Sequence, residues 1–175
     1  MRLDKGLLQV NTGDGKGKTT AALGQAWRAS GRGLRVLVHQ FFKLESEPSG
    51  EQLAPLPGIT FRRGDYRHPF FDRQADRAVL RLKIQRALDQ IAREMSDDQW
   101  DLVVLDEINN ALRDGLVSWP EFLAFLGSKP EALELICTGR GAPAELLERA
   151  DYVTEFKKTK HPIEKGQGAR LGIEF

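Results

Sequence analysis

Length, composition and charge exclude several classes of protein. The 175 residues include 41% hydrophobic and 29% charged residues with a formal net charge of +1, which suits one globular domain over residues 1–175 and argues against nucleic acid or an anionic membrane as a partner. The single cysteine, Cys137, cannot form an internal disulfide, and no apolar run approaches the roughly 18 residues of a membrane span, so we expect a cytoplasmic protein with no membrane attachment.

Short apolar runs alternate with helical patterns along the chain, which is typical of an α/β protein with helices on both faces of a mostly parallel sheet. Six strands are predicted, at residues 6–11, 35–41, 59–63, 102–106, 133–138 and 152–156. The run LVVLD at 102–106 lacks alternation of apolar and polar residues, as expected for a strand that helices cover on both faces. The sequence therefore predicts a central sheet of about six strands.

Helices are predicted between these strands. The first covers residues 19–30, and the second is capped by Asp72 and continues to about residue 95. Ser118 and Glu121 form the pattern of a capping box that opens a third helix, and a short fourth lies within residues 141–150. The second helix has apolar residues at helical spacing that we expect to face the core: Ala75, Val79, Leu82, Ala87, Leu88, Ile91 and Met95.

A glycine-rich segment, TGDGKGKTT, joins the first strand to the first helix. A loop that binds the phosphates of ATP needs glycines that leave backbone amides accessible, a lysine that neutralises charge and a hydroxyl that ligates magnesium. The strict pattern of such loops has glycine at position 12, where this chain has Thr12, and a dinucleotide-binding loop would need glycine in place of Lys18. The predicted nucleotide contacts are Thr12, Gly13, Asp14, Gly15, Lys16, Gly17, Lys18, Thr19 and Thr20.

The fourth predicted strand ends in two acidic residues, Asp106 and Glu107. A carboxylate at such a strand end can hold Mg²⁺ beside a phosphate-binding loop, so Thr19, Asp106 and Glu107 are the predicted metal ligands. Two acids at this place can otherwise cap the following helix. Glu107 can also orient an attacking water, so the residues alone leave ATP hydrolysis, or nucleotide binding without turnover, as alternatives.

Further motifs follow in a fixed order along nearly the whole chain: QFFK at 40–43, VVLDE at 103–107, TGRG at 138–141, ADYVTE at 150–155 and a tail with Lys160, His161, Pro162, Gly166, Ala169 and GIEF. Together with GKGKTT at 15–20, this set resembles the ATP:corrinoid adenosyltransferase family, in which Thr12 is the usual form of the loop. The resemblance implies a RecA-like phosphate-loop fold and usually a homodimer. It also implies that Co(I) of a reduced corrinoid attacks the 5′ carbon of ATP and that triphosphate leaves.

The resemblance also implies roles for particular residues and partners. Lys18, Thr19 and Glu107 are the implied catalytic residues, acting with Mg²⁺ on the leaving triphosphate. Lys16 and Arg140 are further candidates for phosphate contact, although a solvated surface cation explains each of them equally well. A reductase that supplies the electrons for Co(I) is an implied partner.

One loop departs from the family pattern. Many members carry Phe and Trp in G-F-x-W before the long helix, where these rings are associated with the lower face of the corrin ring. The register of this chain places Tyr66 and His68 there, with Phe70 and Phe71 close by. We predict that the aromatic residues form an apolar wall against the corrinoid and that His68 is a solvated loop residue rather than a cobalt ligand.

Three features lie outside these motifs. His39 falls within a predicted strand, where we expect a buried sheet residue, and Cys137 is expected to be a buried hydrophobe. His161 lies in a basic tail that is either solvated or, following the resemblance, in contact with the active site or a second subunit. Residues 44–58 form a polar loop rich in Pro and Gly, long enough to suggest a function or disorder.

Overall fold

Six parallel strands form one sheet in the computed structural model, which describes residues 3–46, 57–72 and 74–173. The strand order is β3-β2-β4-β5-β1-β6. This architecture confirms the predicted α/β class and is consistent with a phosphate-loop NTPase-like domain. The strands are β1 (Leu8–Thr12), β2 (Val36–Gln40), β3 (Ile59–Arg63), β4 (Leu102–Asp106), β5 (Glu134–Thr138) and β6 (Tyr152–Glu155).

Helices cover both faces of the sheet, as predicted. On one face α1 packs Ala22 and Ala26 against β2, β4 and β5, and the other described helices cover the opposite face. None of the helices in these residue ranges is long and apolar enough to cross a membrane. The helices are α1 (Lys18–Ser30), α2 (Arg77–Ser96), α3 (Ile108–Arg113), α4 (Trp119–Gly127) and α5 (Ala144–Arg149), and a 3₁₀ turn follows at Pro162–Lys165.

The start of α2 differs from the prediction. Asp76, and not Asp72, caps the helix, because the Asp76 carboxylate accepts hydrogen bonds from the backbone N–H groups of Ala78 and Val79. The Asp72 carboxylate accepts from Gln74 N in the preceding turn. The predicted core stripe is also partly wrong, since Val79 and Leu82 are exposed and the buried face consists of Leu80, Ile84, Leu88, Ile91 and Met95.

The capping box of α4 is confirmed, because Ser118 Oγ accepts from Glu121 N and the Glu121 carboxylate accepts from Ser118 N. Helix α3 was not predicted from the sequence. It begins directly after the acidic end of β4 and has only six residues, too few for a clear apolar period. The predicted functional loop at 44–58 lies mostly outside the described residues, which stop at residue 46 and resume at residue 57.

The fold places the predicted functional residues at one end of the sheet. Parallel strands end at the same edge, and β1, β4 and β5 are neighbours or next neighbours in the strand order. Their last residues are Thr12, Asp106 and Thr138. Ligands of open α/β sheets bind outside the carboxyl ends of the strands, so this edge is where a substrate site is expected.

Candidate functional site

The glycine-rich loop, residues 13–19, connects β1 to α1. Gly13 has φ +93°, in the region that favours glycine, and a Cβ atom there would lie 2.6 Å from the Phe156 carbonyl oxygen. Gly15 N donates to that same oxygen at 2.6 Å. Gly17 precedes the first helical residue, Lys18. The chain after β6 therefore approaches this loop so closely that the glycines have no room for side chains.

Lys18 is held by its own loop. The ammonium donates to the carbonyl oxygens of Gly13 and Gly15, each at 2.7 Å, and the side chain is almost fully buried. Burial lowers the pKa of Lys18, and the charge of Arg140 lowers it further. Two carbonyl oxygens thus hold the Lys18 ammonium inside the glycine-rich loop.

The side chain of Thr12 has a structural function that glycine cannot supply. Its Oγ1 accepts from Ala142 N at 3.2 Å, which ties the end of β1 to the loop that follows β5. This loop contains Arg140. Thr12 therefore connects the glycine-rich loop with a predicted phosphate contact.

A cavity of about 260 Å³ opens over the glycine-rich loop. Residues 14–20 line it, which includes the predicted contacts Asp14, Lys16 and Thr20. Glu107 and Arg140 line it from the strand ends, and His161 and Ile173 reach it from the tail. We call this space the loop cavity.

Asp106 lies fully buried at the end of β4. Its Oδ1 accepts from the Thr19 hydroxyl at 2.8 Å and from the Thr138 hydroxyl at 2.6 Å. Its Oδ2 is buried and has no hydrogen-bond partner among the described residues. Burial raises the pKa of Asp106, while the hydrogen bonds from Thr138 and Thr19 oppose this increase.

This arrangement fits a hard cation. A hydroxyl, a carboxylate with one unpartnered oxygen and a second carboxylate on Glu107 are the oxygen donors that Mg²⁺ uses together with substrate phosphates. The buried Oδ2 of Asp106 supports this fit. A buried carboxylate oxygen without a hydrogen-bond partner destabilises the folded protein, and a bound cation would supply the missing partner.

Glu107 does not cap α3 with its side chain. It has left-handed backbone geometry with φ +69°, and its carboxylate instead accepts a hydrogen bond from the Asn110 amide. Thr138 Oγ1 accepts from the backbone N–H of Glu107 at 3.0 Å. The capping alternative is therefore wrong for Glu107, and its strained backbone directs a carboxylate to the cavity wall.

The carboxyl group of Glu107 has a strongly shifted pKa. Burial, and then the charge of Asp106, raise the pKa of Glu107 from 4.5 to about 7. Between these two pH values the folded state holds a proton that the unfolded state releases. Without metal or ATP, the contribution of Glu107 to the free energy of unfolding therefore falls as pH rises from 4.5 to about 7.

We predict that Glu107→Gln flattens this pH dependence. A neutral amide removes the charge at high pH, so at pH 8 the variant should exceed wild type in unfolding free energy by roughly 1–3 kcal/mol. Urea unfolding in EDTA at pH 5 and pH 8 measures the unfolding free energy at each pH and the difference between the two. Glu145→Gln, at an exposed position of α5, is the matched control, and a wild-type pH profile in Glu107→Gln would contradict the assignment.

A larger cavity of about 760 Å³ adjoins the loop cavity. It lies between α3, residues 41–43 and the loop at 68–71, and it shares Glu107 and Arg140 with the loop cavity. Its described lining includes the acidic residues Glu107 and Asp114 but is mainly aromatic and cationic: Phe41, Phe42, Lys43, Phe70, Phe71, Arg77, Arg113 and Arg140. We call this space the aromatic cavity.

Phe70 and Phe71 stand at the aromatic cavity with their rings edge to face, 5.2 Å between centroids. Both are highly exposed, at 76% and 75% of their surface. Exposed aromatic pairs beside a cavity mark a binding surface rather than a core. Phe70 and Phe71 therefore line the aromatic cavity, and their contact with a corrinoid stays a prediction.

His68 is not the solvated residue that the sequence predicted. Its side chain is 12% exposed, and its Nε2 lies 2.8 Å from Asp114 Oδ2. Its Nδ1 accepts from Phe70 N at 3.1 Å, and its ring packs against Phe42. Because Nδ1 accepts a hydrogen bond and Nε2 lies beside the Asp114 carboxylate, His68 fixes the loop that carries Phe70 instead of offering a nitrogen to cobalt.

Tyr66 lies apart from the other aromatic residues of the loop. It is buried in the main core and lines a neighbouring cavity, and it is absent from the lining of the aromatic cavity. Truncating it would create a core defect, typically about 3–5 kcal/mol for a large aromatic residue. Phe70 and Phe71 are therefore the residues that test the predicted wall.

Several residues of the site were missed in the sequence. Asn110 holds Glu107 with its amide, and its Oδ1 accepts from Arg140 N at 2.7 Å. Asn109 donates to Asn11 O and Gly139 O and so joins β1 to the loop after β5. The only sequence signal was a pair of asparagines directly after a buried acidic strand end.

The sequence is similar to known proteins over nearly its whole length. Residues 4–175 match the family model described as ATP:corrinoid adenosyltransferase BtuR/CobO/CobP. The chain is 35% identical over 175 residues to the corrinoid adenosyltransferase of Escherichia coli strain K12, covering 98% of this chain and 87% of that protein.

Two further relatives have the same level of identity. The corrinoid adenosyltransferase of Pseudomonas aeruginosa is 35% identical over 185 residues, covering 99% of this chain and 86% of that protein. Corrinoid adenosyltransferase CobA of Salmonella typhimurium is 35% identical over 175 residues, covering 98% of this chain and 87% of that protein. The similarity thus extends through the glycine-rich loop, the strand ends and the tail.

Proposed function

This chain belongs to the ATP:corrinoid adenosyltransferase family, and we propose that its two adjoining cavities hold the two substrates of that reaction. The protein is a transferase that moves the adenosyl group of ATP to the cobalt of a corrinoid. In our assignment the loop cavity holds the triphosphate of ATP, and the aromatic cavity holds the reduced corrinoid.

One observation carries this assignment: the two cavities meet at Glu107 and Arg140. A transfer between two bound substrates requires their reacting atoms to approach within about 3–3.5 Å. Sites that share wall residues allow such an approach, whereas separated sites do not. The 5′ carbon of ATP would lie near this junction, with the phosphates extending to the glycine-rich loop.

The transfer places charge on the leaving group. The electron pair of Co(I) forms the cobalt–carbon bond, the bond between C5′ and oxygen breaks, and triphosphate leaves with the electron pair of the broken C5′–O bond. In our assignment Lys18, which two loop carbonyls hold in place, would donate where this negative charge develops, together with Arg140 and the backbone amides of the loop other than Gly15, whose N–H donates to Phe156 O. Fixed donors reduce the barrier because they need no reorganisation during the reaction.

Mg²⁺ would be held by Thr19, Asp106 and Glu107, directly or through water. Bound there, the ion would supply positive charge to the phosphate oxygens. The Thr138 hydroxyl donates a hydrogen bond to Asp106 Oδ1 and so orients the carboxylate. This arrangement leaves Asp106 Oδ2 for the ion or its water.

The aromatic cavity suits a large, flat, amphipathic substrate. Phe70 and Phe71 supply an apolar wall, which disfavours water and a ligand nitrogen on the adjoining face of cobalt. Lys43, Arg77 and Arg113 supply hydrogen-bond donors for polar groups at the edge of the ring.

We predict that Phe70→Ala reduces the adenosylation rate at least about tenfold, while the affinity for ATP stays within a few-fold, because each aromatic contact contributes about 1–3 kcal/mol. His68→Ala should have a comparable effect, because it releases the loop from Asp114. Anaerobic rates with reduced corrinoid measure both variants.

Trp27→Ala is the control for these variants, since it removes another exposed aromatic residue, on α1 at the opposite face of the sheet. Full adenosylation activity in Phe70→Ala and in a matching Phe71→Ala would show that this loop does not bound the corrinoid.

Transfer is distinguished from hydrolysis by its dependence on corrinoid. The reported relatives are named as adenosyltransferases, which favours transfer. We expect ATP consumption only when a reduced corrinoid is present, followed by the absorption spectrum of a cobalt–carbon product. Equal consumption of ATP with and without corrinoid would contradict the proposal.

The remaining proposals concern the setting of the reaction. We infer a single domain over residues 1–175 that acts as a cytoplasmic homodimer and receives electrons from a reductase. The resemblance described above supports the homodimer and the reductase. Cys137, the one cysteine of the sequence, is buried, which is compatible with a reducing compartment.

A further inference from the structure

The chain after β6 returns to the glycine-rich loop. Phe156 N donates to Thr12 O at 2.8 Å, and Phe156 O accepts from Gly15 N at 2.6 Å. The Phe156 ring also lies beside Gly17, where a Cβ atom would meet it at 3.1 Å. The tail, residues 157–173, therefore starts from a fixed point beside this loop.

Two residues of the tail line the loop cavity, His161 and Ile173. Among the tail residues that the structure describes, His161 is the half-buried one and the others are exposed. The same cavity is lined by Lys16, Lys18 and Arg140, cations that suit a phosphate group. The tail thus brings an imidazole ring to the proposed triphosphate site, where the transfer described above gives it no role.

Contacts within the tail restrain the ring of His161. Its Nδ1 accepts from Ile163 N at 3.2 Å and so caps the 3₁₀ turn at Pro162–Lys165. An ion pair of 2.9 Å between Lys158 Nζ and Glu164 Oε1 joins this turn to the segment before it. The turn therefore limits the orientations that the ring can adopt.

The capping hydrogen bond also determines which ring nitrogen can donate. A nitrogen that accepts a hydrogen bond carries no hydrogen, so the ring proton of His161 is on Nε2. Within the part of the chain that the structure describes, Nε2 makes no hydrogen bond. Because Nε2 carries a hydrogen, it suits an anion with acceptor oxygens and does not suit a cation such as Mg²⁺.

We propose that His161 donates a hydrogen bond from Nε2 to the triphosphate of ATP and so ties the tail to the bound nucleotide. This inference rests on the proposed function, because it takes the loop cavity as the triphosphate site. Residues 14–20 and the tail, far apart in the chain, then contact the same phosphates. A hydrogen bond to a charged group strengthens binding about 10–100-fold.

Two amide variants separate this contact from the capping role. Asparagine places its oxygen near the position of Nδ1, so His161→Asn keeps the cap and loses the donor, whereas the longer glutamine places an N–H near Nε2 and keeps the donor in His161→Gln. Titration calorimetry with inorganic tripolyphosphate in EDTA measures affinity without corrinoid or metal. We expect the affinity to be at least about tenfold weaker in His161→Asn and within a few-fold of wild type in His161→Gln.

The outcomes distinguish this inference from the proposed function. Wild-type affinity in His161→Asn would overturn the inference alone, as would a loss in His161→Gln that equals or exceeds the loss in His161→Asn. Lys165→Ala, which removes an exposed cation from the same turn, is the control and should bind as wild type does. Lys18→Ala should weaken binding, and unchanged affinity in that variant, or no binding to wild type, would overturn the proposed function together with this inference.

Discussion

Lys18→Ala is expected to lower the rate of adenosyl transfer about 100–1,000-fold, equivalent to about 2.7–4 kcal/mol of transition-state stabilisation. The ammonium lies among the loop carbonyls at the place proposed for the leaving triphosphate. Its charge matters most as the bond between carbon and oxygen breaks. Single-turnover rates with saturating ATP and reduced corrinoid measure this effect.

Folded stability should change much less in the same variant. Lys18→Ala loses two hydrogen bonds to carbonyls, but it also removes the burial of a charged group, so the unfolding free energy should stay within roughly 1 kcal/mol. Arg32→Ala, which removes an exposed cation after α1, is the control for net charge. Near-normal transfer by folded Lys18→Ala would refute the site assignment.

Asp106→Asn is expected to raise the Mg²⁺ concentration for half-maximal rate by about 10–100-fold, the usual effect of losing a group that supports a bound metal. The buried carboxylate accepts from Thr19 and Thr138 and has one unpartnered oxygen. An amide keeps the shape of the side chain but loses the charge. Initial rates over a Mg²⁺ titration measure the change.

ATP binding without metal separates a metal ligand from a general fold defect. We expect Asp106→Asn to bind ATP in EDTA within a few-fold of wild type, because our assignment places the phosphates on the glycine-rich loop rather than on Asp106. Asp89→Asn, on an exposed position of α2, is the control. If Asp106→Asn has the same Mg²⁺ dependence as wild type, Asp106 does not hold the metal.

The sequence predicted those parts of the site that are local in the chain. The glycine-rich loop lies between one strand and one helix, and the acids end a run of buried residues, so each is visible within a few positions. The four inner strands β1, β2, β4 and β5 are local in the same sense, since helices on both faces leave continuous buried runs, whereas the edge strands β3 and β6 are partly or fully exposed.

Residues whose role depends on distant contacts were not predictable. His68 was interpreted as solvated because its partner, Asp114, lies 46 positions away and only the fold joins them. Asn109 and Asn110 act through the loop after β5, some 30 positions further on. By sequence, Asp72 and Asp76 could each cap the helix. In the structure the Asp76 carboxylate accepts the hydrogen bonds of the first helical turn, so Asp76 is the cap.

The most direct test of the account is the identity of the product that ATP leaves behind. Purified enzyme is incubated anaerobically with ATP, Mg²⁺ and chemically reduced corrinoid, and the phosphate products are separated and quantified against the cobalt–carbon product. Transfer at the junction of the two cavities predicts one triphosphate for each adenosylated corrinoid. ADP and inorganic phosphate in place of triphosphate would contradict it.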